Sequence, residues 1–266
     1  MLLTHEERPE LLECLLDMGE ILLENGAEIS RVEDTLVRTG KAYGAKQVDA
    51  FVITSIIILS IEFADPRNPE LELEALTGTR RIYSSTGTYF HKIEEINSLS
   101  RKICSERIYL HEFRSSLNEI AAMTKNDNLV TFGGVIAAGS FAVFFGGSLN
   151  DGVVASLFAV MITALQNKLG HTQVNTSASN LLISLITGLC VGFLGKVFTV
   201  LHVDKILIGD IMLLVPGLAM TNSVRNILVG NTISGIIRLI ESFIWALALA
   251  GGIMTAMIIV ETVIRP

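Results

Sequence analysis

The residues most able to act on a ligand lie where a helix breaker interrupts an apolar stretch of the chain. Pro216 and Gly217 form this interruption, with Asp210 before it and Arg225 after it. Proline removes a backbone hydrogen-bond donor and glycine loosens the next position, so we predict a broken or kinked helix. Such a break frees backbone groups to bind a small ligand, although Pro and Gly also occur in apolar helices for purely structural reasons.

Polar side chains around the break suit a ligand that carries a carboxylate. An arginine fork matches a carboxylate, and either Arg225 or Arg238 is the candidate for that role. Either Asn222 or Glu241 would accept a hydrogen bond from a hydroxyl or ammonium group of the same ligand. The predicted binding path also contains Thr221, Asn175, Pro216 and Gly217.

Asp210 differs from the neighbouring acidic residues because it stands several residues inside an apolar stretch. A carboxyl held partly out of water can load and release a proton, so we predict that Asp210 couples ligand movement to protons. The alternative is an aspartate of the outer helical turn whose side chain reaches water.

Charge is distributed unevenly along the 266 residues. Residues 1–128 hold 14 basic and 22 acidic residues, whereas residues 129–266 hold 6 and 5. Neither half has the excess of Lys and Arg that nucleic-acid binding requires, so we predict no nucleic-acid partner. The cysteines Cys14, Cys104 and Cys190 lie far apart, and the usual nucleotide-binding, zinc-protease and nucleophile motifs do not occur. We therefore predict no catalytic residue, no metal, no cofactor and no enzymatic activity.

The second half contains five apolar stretches that can cross a bilayer core, which needs about 20 residues each. They are residues 129–148, 152–169, 178–201, 205–224 and 236–260. The fourth is the weakest, because it contains Asp210 and Pro216. We predict a multi-pass protein of the cytoplasmic membrane, with residues 126–266 in the lipid bilayer. The Glu-rich N-terminus lacks the features of a signal peptide, so we expect it in the cytosol.

Small residues recur at every fourth position in three of these stretches. Gly134, Ala138 and Ala142 lie in the first, Ser184, Gly188 and Gly192 in the third, and Ala248, Gly252 and Ala256 in the fifth. Such faces let helices approach closely, so we predict a tight bundle that packs against partner helices.

Residues 1–125 read as a cytosolic α+β domain, and the whole chain as that domain followed by an all-α membrane bundle of about five transmembrane helices. Asn25 and Gly26 are predicted to end the first helix, and Ser30 with Glu33 to form a capping box for the second. The β-branched segment 48–63 and the alternating segment 71–84 predict a small antiparallel sheet. The carboxylates of the first helix are expected to form a solvated face: Glu10, Glu13, Asp17 and Glu20.

Two sequence motifs carry a resemblance to a known family. The first runs from Asn25 to Leu36 and reads NGAEISRVEDTL, with the charged residues Glu28, Arg31, Glu33 and Asp34. The second consists of VPG at 215–217, TNSVR at 221–225, and then Gly230, Gly235 and Arg238. In this order the motifs resemble the threonine/serine exporter family of bacterial membrane proteins. Asn226 and Asn231 stand where that family often carries aspartate, which argues against an acidic role at these two positions.

The resemblance implies a function and a partner. Longer family members look like two fused membrane halves, and this chain matches the first half. A separately encoded second membrane subunit is therefore implied, and we expect this subunit, a homo-oligomer, or both. The family is associated with export of threonine and serine, and some split members with a dicarboxylate such as succinate. A membrane-tethered enzyme and a regulatory subunit, each acting through the cytosolic domain, remain as alternatives.

Overall fold

A computed structural model describes residues 3–64, 73–83, 88–106, 108–170 and 175–263 of the chain. Helices account for 73% of the described residues, and the strands in these ranges form one three-stranded sheet. The chain divides into two compact units. The first unit contains Met1–Thr124 with Thr221–Arg238, and the second contains Lys125–Met220 with Leu239–Pro266.

The predicted fold class, an α+β N-terminal domain followed by about five transmembrane helices, is wrong. The protein is mostly helical, and residues 221–238 share a compact unit with the sheet, so that unit is not a separate N-terminal domain. Within the described ranges, four helices rather than five are long and apolar enough to cross a membrane. The expected fourth span breaks at Pro216 into helices Val203–Ile211 and Gly217–Leu228. The longer of these measures only about 18 Å, against about 30 Å for a bilayer core.

The N-terminal part of the first unit contains four helices and the sheet. The elements are α1 (Glu7–Glu24), α2 (Ile29–Ala42), β1 (Gln47–Ile53), β2 (Ile56–Ala64), β3 (Leu73–Arg81), α3 (Phe90–Glu106) and α4 (Leu110–Ala122). The strands pair antiparallel in the order β1-β2-β3, which confirms the predicted antiparallel sheet. Alternate residues of β2 are buried in one core with apolar residues of α1. Gly78 permits close packing of β3, because a Cβ there would lie 2.8 Å from Leu16 Cδ1.

The row of carboxylates along α1 is paired with arginines from two other elements. Arg80 of β3 contacts three of them at 2.8 Å, and Arg114 of α4 pairs with Asp17. The row consists of Glu10, Glu13, Asp17 and Glu20. The expectation of a merely solvated face is therefore wrong. These ion pairs connect α1 to both β3 and α4.

The remaining helices are mostly apolar and are covered by few protein atoms. They are α5 (Asp127–Phe144), α6 (Leu149–Gly170), α7 (Thr176–Val197), α8 (Val203–Ile211), α9 (Gly217–Leu228) and α10 (Thr232–Val263). The candidate spans are α5, α6, α7 and α10, and at most 39% of the most apolar window of each is buried inside the protein. Large apolar side chains such as Phe132, Leu157 and Leu247 are exposed. A lipid environment suits such surfaces, because lipid tails are as apolar as the side chains.

The small-residue faces of α7 and α10 pack against each other in the second unit. A Cβ on Gly188 would lie 2.7 Å from Ala256 Cβ, and a Cβ on Gly252 would lie 2.6 Å from the Leu181 carbonyl oxygen. These distances are too short for a larger side chain, so the predicted close helix packing is confirmed. Because these contacts lie within the chain, they do not by themselves require partner helices.

We expect Arg80→Gln to loosen the contact between α1 and β3, because three carboxylates lose a shared partner. The pairs are partly exposed, so the expected loss is about 1 kcal/mol of local opening free energy. Hydrogen–deuterium exchange of the full chain in detergent should then be roughly fivefold faster in peptides from α1 and β3.

Arg81→Gln is the matched control for this experiment. Successive strand residues point to opposite faces, and the Arg81 guanidinium lies over the Tyr83 ring, 5.1 Å from its centroid. Exchange in α1 should therefore match that of the parent chain. Equal exchange rates in both variants would contradict a stabilising role of the Arg80 pairs.

Candidate functional site

The first sequence motif builds the turn between α1 and α2. Gly26 has a φ of +85°, a left-handed conformation that glycine adopts without strain, and it follows Asn25 at the end of α1. Glu28 is the N-cap residue of α2, and its carbonyl oxygen accepts hydrogen bonds from the N–H groups of Arg31 and Val32. The Glu28 side chain is thus held at a fixed point of a tight turn.

The Glu28 carboxylate forms an ion pair with Arg225 of the second motif. Arg225 Nη1 lies 3.0 Å from Glu28 Oε2, and the Ser30 hydroxyl donates to Glu28 Oε1 at 2.9 Å. The Glu28 side chain is only 10% exposed, whereas that of Arg225 is 56% exposed. Both residues belong to the first unit, so the structure brings the two motifs together through one charge pair.

The other charged residues of the first motif have separate surroundings. The predicted capping box of Ser30 and Glu33 is wrong, because Ser30 bonds Glu28 and Glu33 Oε1 accepts the Val52 N–H at 3.1 Å. Burial raises the pKa of the Glu33 carboxyl, and the hydrogen bond from Val52 acts in the opposite direction. Asp34 pairs with Arg38 at 3.2 Å on the exposed face of α2, and Arg31 is also exposed.

The second motif forms a tight connection between α9 and α10 that holds Arg225 in place. Gly230 has a φ of +97°, and the Asn231 N–H donates to the Asn226 carbonyl oxygen at 2.9 Å. Gly235 allows the start of α10 to touch α9, because a Cβ there would lie 2.8 Å from the Ser223 carbonyl oxygen. The glycines of this motif therefore have a packing role. Asn226 is buried, and its side-chain oxygen has no hydrogen-bond partner among the described residues.

The remaining residues of the predicted binding path are distributed over several elements. In the first unit, Thr221 is exposed on α9, Asn222 is half-buried on α9, and Arg238 is half-buried on α10. In the second unit, Pro216 is buried ahead of α9, Gly217 begins α9, and Glu241 is exposed on α10. Asn175 is the N-cap of α7, where its side chain accepts the Ser177 N–H at 2.9 Å. Their roles in a binding path stay predictions.

Asp210 is buried in the second unit. The residue is 1% exposed, and neither carboxylate oxygen has a hydrogen-bond partner within the described part of the chain. A side chain that reached water would be exposed, so this burial argues against the alternative of an outer-turn aspartate. A buried carboxylate without a partner is costly, which favours a neutral, protonated carboxyl at this position.

Asp151 and His202 form a second polar site that our sequence analysis did not select. Asp151 is fully buried at the start of α6, and its Oδ2 accepts both the N–H and the hydroxyl of Ser148 at 2.7 Å. The backbone N–H of His202 donates to Oδ1 at 2.9 Å, and the His202 ring nitrogen lies 2.9 Å from Oδ2. The spacing of Ser148 and Asp151 is a capping-box signal that could have identified Asp151. No comparable signal marks His202.

These features define a multi-pass membrane protein whose two charged sequence motifs meet at one ion pair. Comparison with known proteins gives the family. The model of the ThrE family, described as "Putative threonine/serine exporter", matches residues 13–260. The chain belongs to this family and is a membrane transport protein, which confirms the resemblance seen in the sequence.

One curated relative is similar over most of the chain. It is "Probable succinate transporter subunit YjjP" of Klebsiella aerogenes, which is 23% identical over 241 residues. The matched region covers 89% of this chain and 88% of the relative. No solved structure matches the chain.

We expect Glu28 and Arg225 to be energetically coupled. In a double-mutant cycle with Glu28→Gln and Arg225→Gln, the coupling should be about 0.5–1 kcal/mol, because Arg225 is half exposed and water screens its charge. The coupling is measured by urea unfolding of the full chain in detergent, with hydrogen exchange in the α1–α2 turn as the readout.

Asp34 and Arg38 provide the control pair, since both side chains are about half exposed. Their cycle with Asp34→Asn and Arg38→Gln should give little or no coupling. A coupling for Glu28 and Arg225 that is no larger than the control value would contradict a specific role of this ion pair.

Proposed function

We propose that this chain is a subunit of an exporter for small amino acids such as threonine and serine. The observation that carries the proposal is the ion pair between Glu28 and Arg225, because it joins both family motifs. We further propose that residues 1–125 lie in the cytosol, with the N-terminus, and that the four candidate spans α5, α6, α7 and α10 cross the membrane. The acidic, charged composition of the former and the apolar composition of the latter support this assignment.

The chemistry of the ion pair suits a zwitterionic substrate. The Arg225 guanidinium can bind the substrate carboxylate through two parallel hydrogen bonds. Glu28, once released from Arg225, can pair with the substrate ammonium group. An amino acid thus replaces the internal ion pair with two pairs of the same kind, and no charge is left without a partner. Arg238 remains the second candidate for the carboxylate, and Asn222 and Glu241 remain candidates for the hydroxyl or ammonium group.

The comparisons support a transport subunit over the alternatives of a tethered enzyme or a regulator. The description of the family is that of an exporter, and the name of the relative is that of a transporter subunit. We therefore propose a second, separately encoded membrane protein as partner. The name of the relative also favours a second candidate substrate, a small dicarboxylate such as succinate. A dianion would be repelled by Glu28 at this site, which is why we prefer an amino acid.

Transport by membrane vesicles of the native cell distinguishes these substrates. In these cells each variant is expressed in place of the parent chain, so the vesicles keep any partner subunit. Serine, glycerate and succinate are compared, because glycerate has the carboxylate and hydroxyl groups of serine without its ammonium. We expect Arg225→Gln to reduce serine transport at least tenfold, and Arg225→Lys to reduce it less.

Glu28→Gln should reduce transport of serine more than transport of glycerate, since only serine carries the ammonium group. Asp34→Asn, at an exposed position of the same helix, should change neither. Normal serine transport by Arg225→Gln would refute the proposed site. Succinate transport that exceeds serine transport and rises in Glu28→Gln would favour the dicarboxylate instead.

We also propose that Asp210 couples transport to protons, and its burial without a partner supports this role. Asp210→Asn should abolish the dependence of efflux on a pH gradient and spare substrate exchange, because an amide of the same shape cannot release a proton. Asp204→Asn is the control, since Asp204 is exposed on the same helix and pairs with Lys205. Survival of both activities in Asp210→Asn would show that Asp210 is not the coupling residue.

A further inference from the structure

Asp210 lies between two apolar clusters of the second unit, and α7 contributes to both. The first cluster contains Ile206 of α8 together with Val191 of α7. The second contains Leu214, which follows the end of α8, together with Ile183 of α7. Asp210 is four residues from both Ile206 and Leu214, so it occupies the layer between the clusters.

Thr187 occupies the corresponding layer on α7. It is four residues from both Ile183 and Val191, and residues at this spacing share one face of a helix. Because α7 packs against α8, the shared clusters above and below place Thr187 and Asp210 at the same level. Thr187 is 3% exposed, and its hydroxyl, like the Asp210 carboxyl, has no hydrogen-bond partner among the described residues.

We propose that Thr187 is a positioning residue for Asp210, whose hydroxyl donates a hydrogen bond to the Asp210 carboxylate when the proton leaves. In the structure the Thr187 hydroxyl and the Asp210 carboxyl are not hydrogen-bonded to each other, which fits a protonated carboxyl. A threonine hydroxyl in a helix commonly donates to the carbonyl three or four residues earlier, as Thr163 does to Ala159 and Val160 at 3.0 Å. Thr187 has no such bond, so its proton is available to Asp210.

The composition of this layer favours a proton over a metal ion as the coupling species. Na⁺ prefers about five or six oxygen ligands, as hard cations generally do, and the paired layer offers two carboxylate oxygens and one hydroxyl. The neighbouring layers on both helices are aliphatic. A proton needs one carboxyl and gains from one hydrogen-bond donor to the charged form.

The charged and titratable groups on the helices around Asp210 do not provide another partner. In the second unit these groups are Asp127 on α5, Asp151 and Lys168 on α6, Cys190 and Lys196 on α7, Asp204 and Lys205 on α8, and Glu241 and Glu261 on α10. Asp151 is buried but bonded to Ser148 and His202, and Lys205 pairs with Asp204. The remaining groups of this set are exposed. No charged group of this set is thus left for Asp210, and Thr187 is the hydroxyl of the same layer that lacks a hydrogen bond among the described residues.

The inference rests on the proposed coupling role of Asp210, and Thr187→Val tests it in the same vesicles. Without the donor, the deprotonated carboxyl is harder to form. We therefore expect the pH of half-maximal proton-driven efflux to rise by about one unit, a tenfold change in proton affinity, with substrate exchange retained. Thr187→Ser keeps the hydroxyl and should restore the parent profile. Thr163→Val removes a hydroxyl that bonds its own helix and should leave the profile unchanged.

Each outcome separates this inference from the proposed function. An unchanged pH profile in Thr187→Val, with loss of proton coupling in Asp210→Asn, would overturn the role of Thr187 and leave Asp210 as the coupling group. Normal coupling in Asp210→Asn would refute the proposed function itself. Efflux driven by a Na⁺ gradient at constant pH would overturn the proton site. If Thr187→Val does not insert into the membrane, Thr187→Ala carries the same comparison, because its smaller side chain cannot clash.

Discussion

A carboxylate withdrawn from water must have a partner or lose its charge, and this constraint governs the polar sites of the chain. Glu28 meets it with the Arg225 guanidinium and the Ser30 hydroxyl. Asp151 meets it with hydrogen bonds to both of its oxygens, from Ser148 and His202. Asp210 has no partner in the described residues, so the surrounding structure provides nothing that stabilises its charged form. These three arrangements suit different roles: Glu28 and Asp210 have the substrate and proton roles that we propose, and Asp151 connects Ser148 to His202.

The glycines of the family motifs allow the backbone to bring the two charges of the ion pair together. Glu28 and Arg225 are far apart in sequence, so each must be fixed by its own turn before the two charges can meet. Gly26 and Gly230 supply the left-handed conformations of these turns, and Gly235 lets α10 contact α9 closely. The motif thus combines charged residues that interact with glycines that position the backbone. A loss of either kind would disturb the same ion pair.

The apolar spans could be read from the sequence because a bilayer imposes a minimum length. Four of the five expected stretches correspond to helices long enough to cross it. The remaining stretch, the fourth at 205–224, does not, because a hydropathy average over a window does not register the helix break that Pro216 predicted. The ion pairs of Arg80 and Arg114 could not be predicted from the sequence either. The charge spacing on α1 indicates that the carboxylates share one face of the helix, but it does not indicate which residues of other elements contact that face. The contact between Glu28 and Arg225 joins positions too distant for any periodic signal.

The position of Asn226 shows how this chain limits charge near its ion pair. The residue is buried one position after Arg225, and its side-chain oxygen lacks a partner in the described part of the chain. An aspartate there would be a buried carboxylate that needs a partner or a proton of its own, because neighbouring residues of a helix do not face each other and Arg225 already pairs with Glu28. The neutral amide avoids this demand and leaves an acceptor that costs less to bury than a charge. Under the proposed function, Arg225 releases Glu28, and an incoming substrate carboxylate replaces that carboxylate one for one.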